Sequence, residues 1–321
     1  MTTINLVTGV SGQDGFFISR HLLKKGHRVL GVSRRQVDSP HVLLLAKYPK
    51  YQHYAISKYT KSNIEALFRE VQPDRVFHAA GFRDIPSTDE EVAQCFFTNV
   101  ELLAIIIAAI RQNSPKTRLL FISSAEIYGK NAGIAHEKTA FNPENPYAVS
   151  KTEGMQQIEF FRSNGGFGSV AICFNHDSFL SPTTHLAISV VRKLLKSRES
   201  STFFNTSIHR DFGHASDFSV AFDLILSHHT PDNFVVCTGT HVSLDDYINM
   251  TCHYLKIEPA AITRSVQPDL ETYARRGDSQ KIRSLLGWTP RFTVEKICKN
   301  IIYWEKKNQN DRINLYSPNI K

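Results

Sequence analysis

Residues 4 to 15 read INLVTGVSGQDG. A short, mostly apolar run from Ile4 to Thr8 ends at once in a segment with glycines at 9, 12 and 15. From Phe16 to Lys25 apolar residues recur with helical periodicity, Gly26 is a natural stop, and Arg28 to Val32 reads as a second strand. Strand, glycine-rich turn, helix and strand make the opening of a βαβ unit. The GxxGxxG spacing lets the backbone turn tightly and brings amide donors to a pyrophosphate at a helix N-terminus. Gly9, Gly12 and Gly15 are therefore candidate cofactor-binding positions; the competing reading is a tight turn whose glycines serve packing.

Outward from this unit the alternation continues. Asn63 to Val71 reads as a helix, Arg75 to Ala80 as a strand, Val92 to Gln112 as one long helix, Thr117 to Ser123 as a strand and Gly168 to Asn175 as another. That order predicts an α/β fold, a Rossmann-like doubly wound parallel sheet covered on both faces. Beyond Asn175 the pattern loosens: Phe179 to Thr184 and Ser201 to Phe212 look irregular, while Asp217 to Leu226 and Asn233 to Thr238 read as a helix and strand returning to the sheet. The expected division is a dinucleotide-binding domain over 1–176 with the return of 217–240. A smaller interleaved substrate-binding lobe takes 177–216 and 241–321.

At the end of the second strand stand Ser33, Arg34 and Arg35. An acid there favours NAD, whereas arginine accommodates a 2′-phosphate, so Arg34 and Arg35 point to NADP; ordinary surface arginines are the alternative. The segment SSAEIYG, 123 to 129, follows the apolar run Leu119 to Ile122. It puts Ser124 and Glu126 at the carboxyl end of a sheet strand, where open α/β sheets bind ligands. Tyr147 and Lys151 are four apart behind Pro146, a preferred helix start. They share a helical face, and a cation beside a phenol lowers a pKa of about 10 toward the working range of a base.

The bulk properties exclude several classes. With 321 residues, 41% hydrophobic, the chain can bury a full-sized core. The longest unbroken apolar run, Leu102 to Ile110, falls short of the roughly 20 residues of a membrane span, and no export signal is visible. A cytoplasmic protein without a membrane partner is expected. Five widely spaced cysteines suit reduced packing residues, and the 14 histidines form no pair at zinc-ligand spacing, so no metal is expected. The net charge of +8 is spread along the chain without interleaved aromatics, which argues against nucleic acid. His136 and Glu137 read as loop surface.

TGVSGQDG at 8 to 15, HAAG at 78 to 81, SSAEIYG, NPYAVSK at 145 to 151, RDFGHASDF at 210 to 218 and GDSQKIRSLLGWTPR at 277 to 291 run through nearly the whole chain. Together they resemble the extended short-chain dehydrogenase/reductases that act on sugar nucleotides. Gln13-Asp14 within the glycine turn, Asn175-His176-Asp177-Ser178 and the Arg210 segment are most similar to the GDP-mannose 4,6-dehydratases. The resemblance implies catalytic roles for Ser124, Glu126, Tyr147 and Lys151. It implies cofactor contacts from Gln13, Asp14, Ala79, Ala80 and His176 as well as from the glycines, Tyr147 and Lys151. Asn175, Lys193, Arg210 and Arg276 fall where the family contacts a sugar nucleotide, a GDP-sugar by this likeness. A homodimer or homotetramer through the helices at 92–112 and 146–164 is the family expectation.

The implied reaction is a 4,6-dehydration with NADP. Tyr147 takes the 4-hydroxyl proton, Glu126 removes the proton on carbon 5, and Ser124 steadies the oxyanion. The sequence departs from the family at Ala55-Ile56-Ser57, at Gly81-Phe82-Arg83 and at Phe179-Leu180-Ser181, and it is short before Gly277. A reductase or epimerase of the same fold is the alternative, and a non-catalytic dinucleotide-binding protein the third reading.

Overall fold

The computed structural model describes residues 2–34, 40–82, 84–130, 133–266 and 276–310. Seven parallel strands form one sheet in the spatial order Asn233–Val236, Phe167–Cys173, Arg118–Ser124, Arg75–His78, Ile4–Thr8, Arg28–Ser33, Tyr51–Ala55. The strand Ile4–Thr8 has the second strand on one side and Arg75–His78 on the other. The chain order therefore reverses at the first strand, and a crevice opens beyond its carboxyl end.

Both sheet faces are covered, which is why the central strands are nearly continuous apolar runs. On one face Leu6, Val76, Leu119 and Phe121 pack with Ile64, Phe68, Ile106 and Ile158 from three helices. On the other, Val7, Phe77 and Leu120 meet Phe16, Leu22, Phe218 and Phe222. A third cluster lies away from the sheet, where Val191, Phe212, Tyr247, Ile248 and Ile301 pack together. It joins the helices Leu186–Ser197, Leu244–Leu255 and Val294–Asn310.

One piece of the expected lobe belongs elsewhere. Ile282 and Trp288 pack in the sheet-side cluster with Phe218 and Phe222, and the Trp288 indole donates to the Asp217 carbonyl at 3.0 Å. Other local expectations shift too. Tyr51–Ala55, unmarked by any alternation, is an edge strand whose residues are all partly or fully exposed. The helix Leu186–Ser197 occupies a stretch with no helical reading beforehand. Glu137 is no idle surface residue: its carboxylate accepts the Val235 amide at 2.8 Å, closing the opposite sheet edge.

The single helix expected over Val92 to Gln112 is interrupted. Asp89–Phe96 passes through a wide π-helical turn, Phe97–Glu101, into Leu102–Asn113. The combined stretch is apolar enough by composition to cross a bilayer, yet it lays Leu102, Leu103, Ile106 and Ile110 against the sheet.

Candidate active site

Gly9 adopts φ +67°, and a Cβ there would stand 2.7 Å from the Ala80 Cα. At Gly15 it would meet the Gly9 carbonyl oxygen at 2.3 Å. Only glycine lets the first strand, the turn and the helix Gln13–Lys24 come so close. The result is a helix N-terminus opening onto a cleft of about 380 Å³, with Gly12, Gln13, Asp14, Ala79 and Ala80 on its wall.

Across this cleft stand the other expected groups. Ser124 ends the strand Arg118–Ser124, and its hydroxyl accepts the Glu126 amide at 3.3 Å, so a tight 3-10 turn presents both side chains. The helix Pro146–Ser163 starts at Asn145, whose side chain accepts the Ala148 amide at 2.8 Å. One turn on, the Lys151 ammonium donates to the Ile122 carbonyl at 3.0 Å and lies 5.1 Å from the Phe121 ring centre. The Ser124 hydroxyl lies close enough to Tyr147 to favour its phenolate. Ser124, Glu126, Tyr147 and Lys151, expected together from motifs 20 or more residues apart, line one cavity.

The electrostatics bear on the Tyr147–Lys151 pair. Burial lowers the Lys151 pKa to about 8. Burial also raises Tyr147 above the phenol's ordinary 10, opposed by the nearby Ser124 hydroxyl.

Asn99 was invisible in the sequence reading. The π turn swings it inward, fully buried. Its Oδ1 accepts the Phe82 amide at 3.0 Å, and its Nδ2 donates to the Phe82 carbonyl at 3.2 Å and to the Ser150 hydroxyl at 2.9 Å. It thereby ties the Gly81-Phe82 wall of the cleft to the helix bearing Tyr147 and Lys151. The only sequence signal is an amide amid an apolar helix, and π turns of this kind concentrate at functional sites.

His176 and Asp14 line the cleft, but their side chains meet each other: His176 Nε2 is 2.9 Å from Asp14 Oδ1, and Nδ1 is 2.8 Å from the Phe174 carbonyl. Asn175 lies on the same wall. Three other expected residues are not on it. Lys193 is exposed and its ammonium turns to the Thr202 carbonyl and the Phe203 ring, away from the cleft. Arg210 is buried in the strand His209–Asp211, and Arg276 is exposed in the neighbouring strand Arg276–Gly277. Arg34 stands exposed at the end of the second strand, and Arg35 lies outside the described residues. Phe179, where the family pattern differs, stacks on Trp304 at 4.6 Å between ring centres and packs against Phe16 and Phe17.

The cleft suits a dinucleotide. The glycine turn offers amide donors where no side chain intrudes, and a Cβ on Gly81 would press to 3.3 Å from the Lys151 ammonium. His78, buried on the cleft wall and bonded through Nδ1 to the Thr8 hydroxyl at 2.9 Å, has a buried Nε2 without a partner among the described residues. A buried polar nitrogen in that position calls for a ligand atom or an ordered water.

A seven-stranded doubly wound sheet with a glycine turn at its switch point, facing a serine, a tyrosine and a lysine on the next strand and helix, defines an extended short-chain dehydrogenase/reductase. The family model for GDP-mannose 4,6 dehydratase matches residues 6–301, and the chain belongs to that family, the sugar-nucleotide 4,6-dehydratases of this class. GDP-mannose 4,6-dehydratase of Yersinia enterocolitica is 26% identical over 92% of each chain. GDP-mannose 4,6 dehydratase 2 of Caenorhabditis elegans is 27% identical over 93% of this chain and 88% of its own length. The dTDP-glucose 4,6-dehydratase of Bacillus anthracis, solved with NAD, shares the fold with a TM-score of 0.83 at 17% identity, covering 96% of this chain and 98% of that one. The UDP-glucose 4-epimerase of Thermotoga maritima, solved with UDP-glucose, gives 0.84 at 20% identity, covering 95% and 99%.

Proposed function

We propose that the protein converts GDP-mannose or a related GDP-sugar to its 4-keto-6-deoxy form, using NADP held at the glycine turn. The observation that carries this reading is the meeting of Ser124, Glu126, Tyr147 and Lys151 in one cleft with the turn. When bound, the oxidised cofactor would accept a hydride from carbon 4 and, so reduced, would return it to carbon 6.

Tyr147 then takes the proton of the 4-hydroxyl, and Ser124, on the same cleft wall, holds the oxygen that becomes the ketone. Lys151, fixed on the Ile122 carbonyl, keeps its remaining protons for the cofactor ribose and the phenol. The 4-ketone acidifies carbon 5, and Glu126, presented one residue beyond Ala125, removes that proton and passes it to the 6-hydroxyl, which leaves as water; carbon 5 regains a proton from solvent as carbon 6 is reduced. Arg34 meets the 2′-phosphate of NADP. Asn175 touches the sugar nucleotide at the cleft wall, and Arg210 and Arg276, on adjoining strands, receive its distal end.

In this reading the protein works in the cytoplasm, in keeping with five free and buried cysteines. It assembles as a homodimer or homotetramer through the helices Leu102–Asn113 and Pro146–Ser163, between which a groove of about 850 Å³ is bordered by Ile107, Ala108 and the 64% exposed Phe160. Light scattering tests the assembly. For the activity, purified protein is incubated with GDP-mannose and related sugar nucleotides without added cofactor. Loss of one water from a GDP-sugar is expected; unchanged mass for every substrate would overturn the reading.

A further inference from the structure

We propose that His176 is a charge-compensating positioning residue for the dinucleotide site: as an imidazolium it neutralises Asp14, so that the glycine turn meets the cofactor pyrophosphate without a net negative charge. The inference rests on the reading of the turn as a dinucleotide site, and it replaces direct cofactor contact by these two side chains with a different task.

Asp14 sits in the first turn of the helix Gln13–Lys24 and lines the cleft beside Gly12. A carboxylate there complements the helix dipole, yet it also places a negative charge where an anionic pyrophosphate must come. The His176 ring resolves the conflict. Its two nitrogens face the Asp14 carboxylate at 2.9 Å and the Phe174 carbonyl at 2.8 Å. Against a carbonyl oxygen and an ionised Asp14, both of which can only accept, both ring nitrogens donate and the ring carries a proton on each. Burial opposes both charges, but their mutual attraction and hydrogen bond leave Asp14 below its ordinary value and His176 above it.

The surroundings hold the pair in register. The ring stacks on Phe218 at 4.2 Å between centres with the planes 16° apart. Gln13, the neighbour of Asp14, donates to the His176 carbonyl at 3.1 Å and accepts from the Ser178 and Ser181 hydroxyls, each at 2.7 Å. The other charged groups nearby are already engaged. Asp177 pairs with His185 at 3.0 Å, and His185 lies close enough to add a little to the pull on Asp14. Lys151 and Cys173 also sense the Asp14 charge from across the cleft.

The test is the affinity for NADP and for NAD, measured by calorimetry on the wild type and on Asp14→Asn, His176→Asn and the double variant, with thermal unfolding of each. His176→Asn leaves Asp14 bare and should weaken dinucleotide binding by about tenfold or more at low salt, a loss that shrinks as salt screens the charge. Adding Asp14→Asn to it should recover most of the affinity, although it restores no contact and no stability. A double variant as weak as His176→Asn, or a His176→Asn variant that binds like the wild type, overturns the inference alone. A wild-type protein that binds neither dinucleotide overturns the reading of the turn, and the inference with it.

Discussion

The Lys151 ammonium donates to the Ile122 carbonyl at 3.0 Å, pinning the helix that carries Tyr147 to the strand that ends in Ser124. The bond is made by a cation that burial weakens, since the Lys151 pKa falls to about 8 from 10.5. A group that holds its proton less tightly when folded opposes folding below its unfolded pKa. Stability should therefore rise as pH climbs from about 8 toward 10.5. Lys151→Met should remove that rise, fold at least as stably at pH 7, and lose activity by about a hundredfold or more. Paired denaturation and rate measurements across pH 7 to 10.5 check both halves.

Asn99 predicts a coupled loss. Asn99→Ala removes a fully buried amide and leaves the Phe82 amide and carbonyl without their partner, which should cost about 1–3 kcal/mol of stability. It should also slow turnover, because the Gly81-Phe82 wall and the Ser150 hydroxyl lose a common anchor. Urea denaturation and kcat on the same preparation test this; a slow but fully stable variant would contradict it.

Asp223 predicts an acid sensitivity. It is buried against Arg75 at 2.8 Å, Lys25 at 2.6 Å and His21 at 2.9 Å. Burial pushes its pKa up, but these hydrogen bonds and charges outweigh burial and hold the carboxyl far below 3.8. A carboxyl depressed in this way stabilises fully above its unfolded value, and the contribution drains away as pH falls below about 4. Asp223→Asn should lose about 3–5 kcal/mol near neutrality and show a flatter acid-unfolding curve. Equal acid midpoints for variant and wild type would speak against this assignment.

Arg34 separates the two dinucleotides. Arg34→Ala should weaken NADP several-fold while leaving NAD nearly untouched, because only NADP carries the 2′-phosphate. Competitive binding of the two to the variant and the wild type reads this directly.

The strand, turn and helix around INLVTGVSGQDG were legible because glycine spacing and helical periodicity are local. Ser124, Glu126, Tyr147 and Lys151 were legible because their motifs sit at the ends of regular elements, where the fold itself delivers them to one cleft. What escaped was tertiary. The His176–Asp14 pair joins residues 162 positions apart, and nothing in either motif announces the partner. Asn99 escaped because a π turn leaves no mark in an apolar helical pattern, and Tyr51–Ala55 because a wet edge strand has no buried face to enforce alternation. Lys193 is exposed on the helix Leu186–Ser197, where its ammonium donates to the Thr202 carbonyl, a tertiary contact that no local pattern marks.

The central claim is that Glu126 removes the proton on carbon 5. The most direct measurement is turnover of GDP-mannose in deuterated water without added cofactor, comparing the wild type with Glu126→Gln. The wild type should release a 4-keto-6-deoxy product carrying solvent deuterium at carbon 5. Glu126→Gln should lose dehydration by about a thousandfold while still oxidising carbon 4. Dehydration by Glu126→Gln at the wild-type rate, or a wild-type product with no deuterium at carbon 5, would contradict the account.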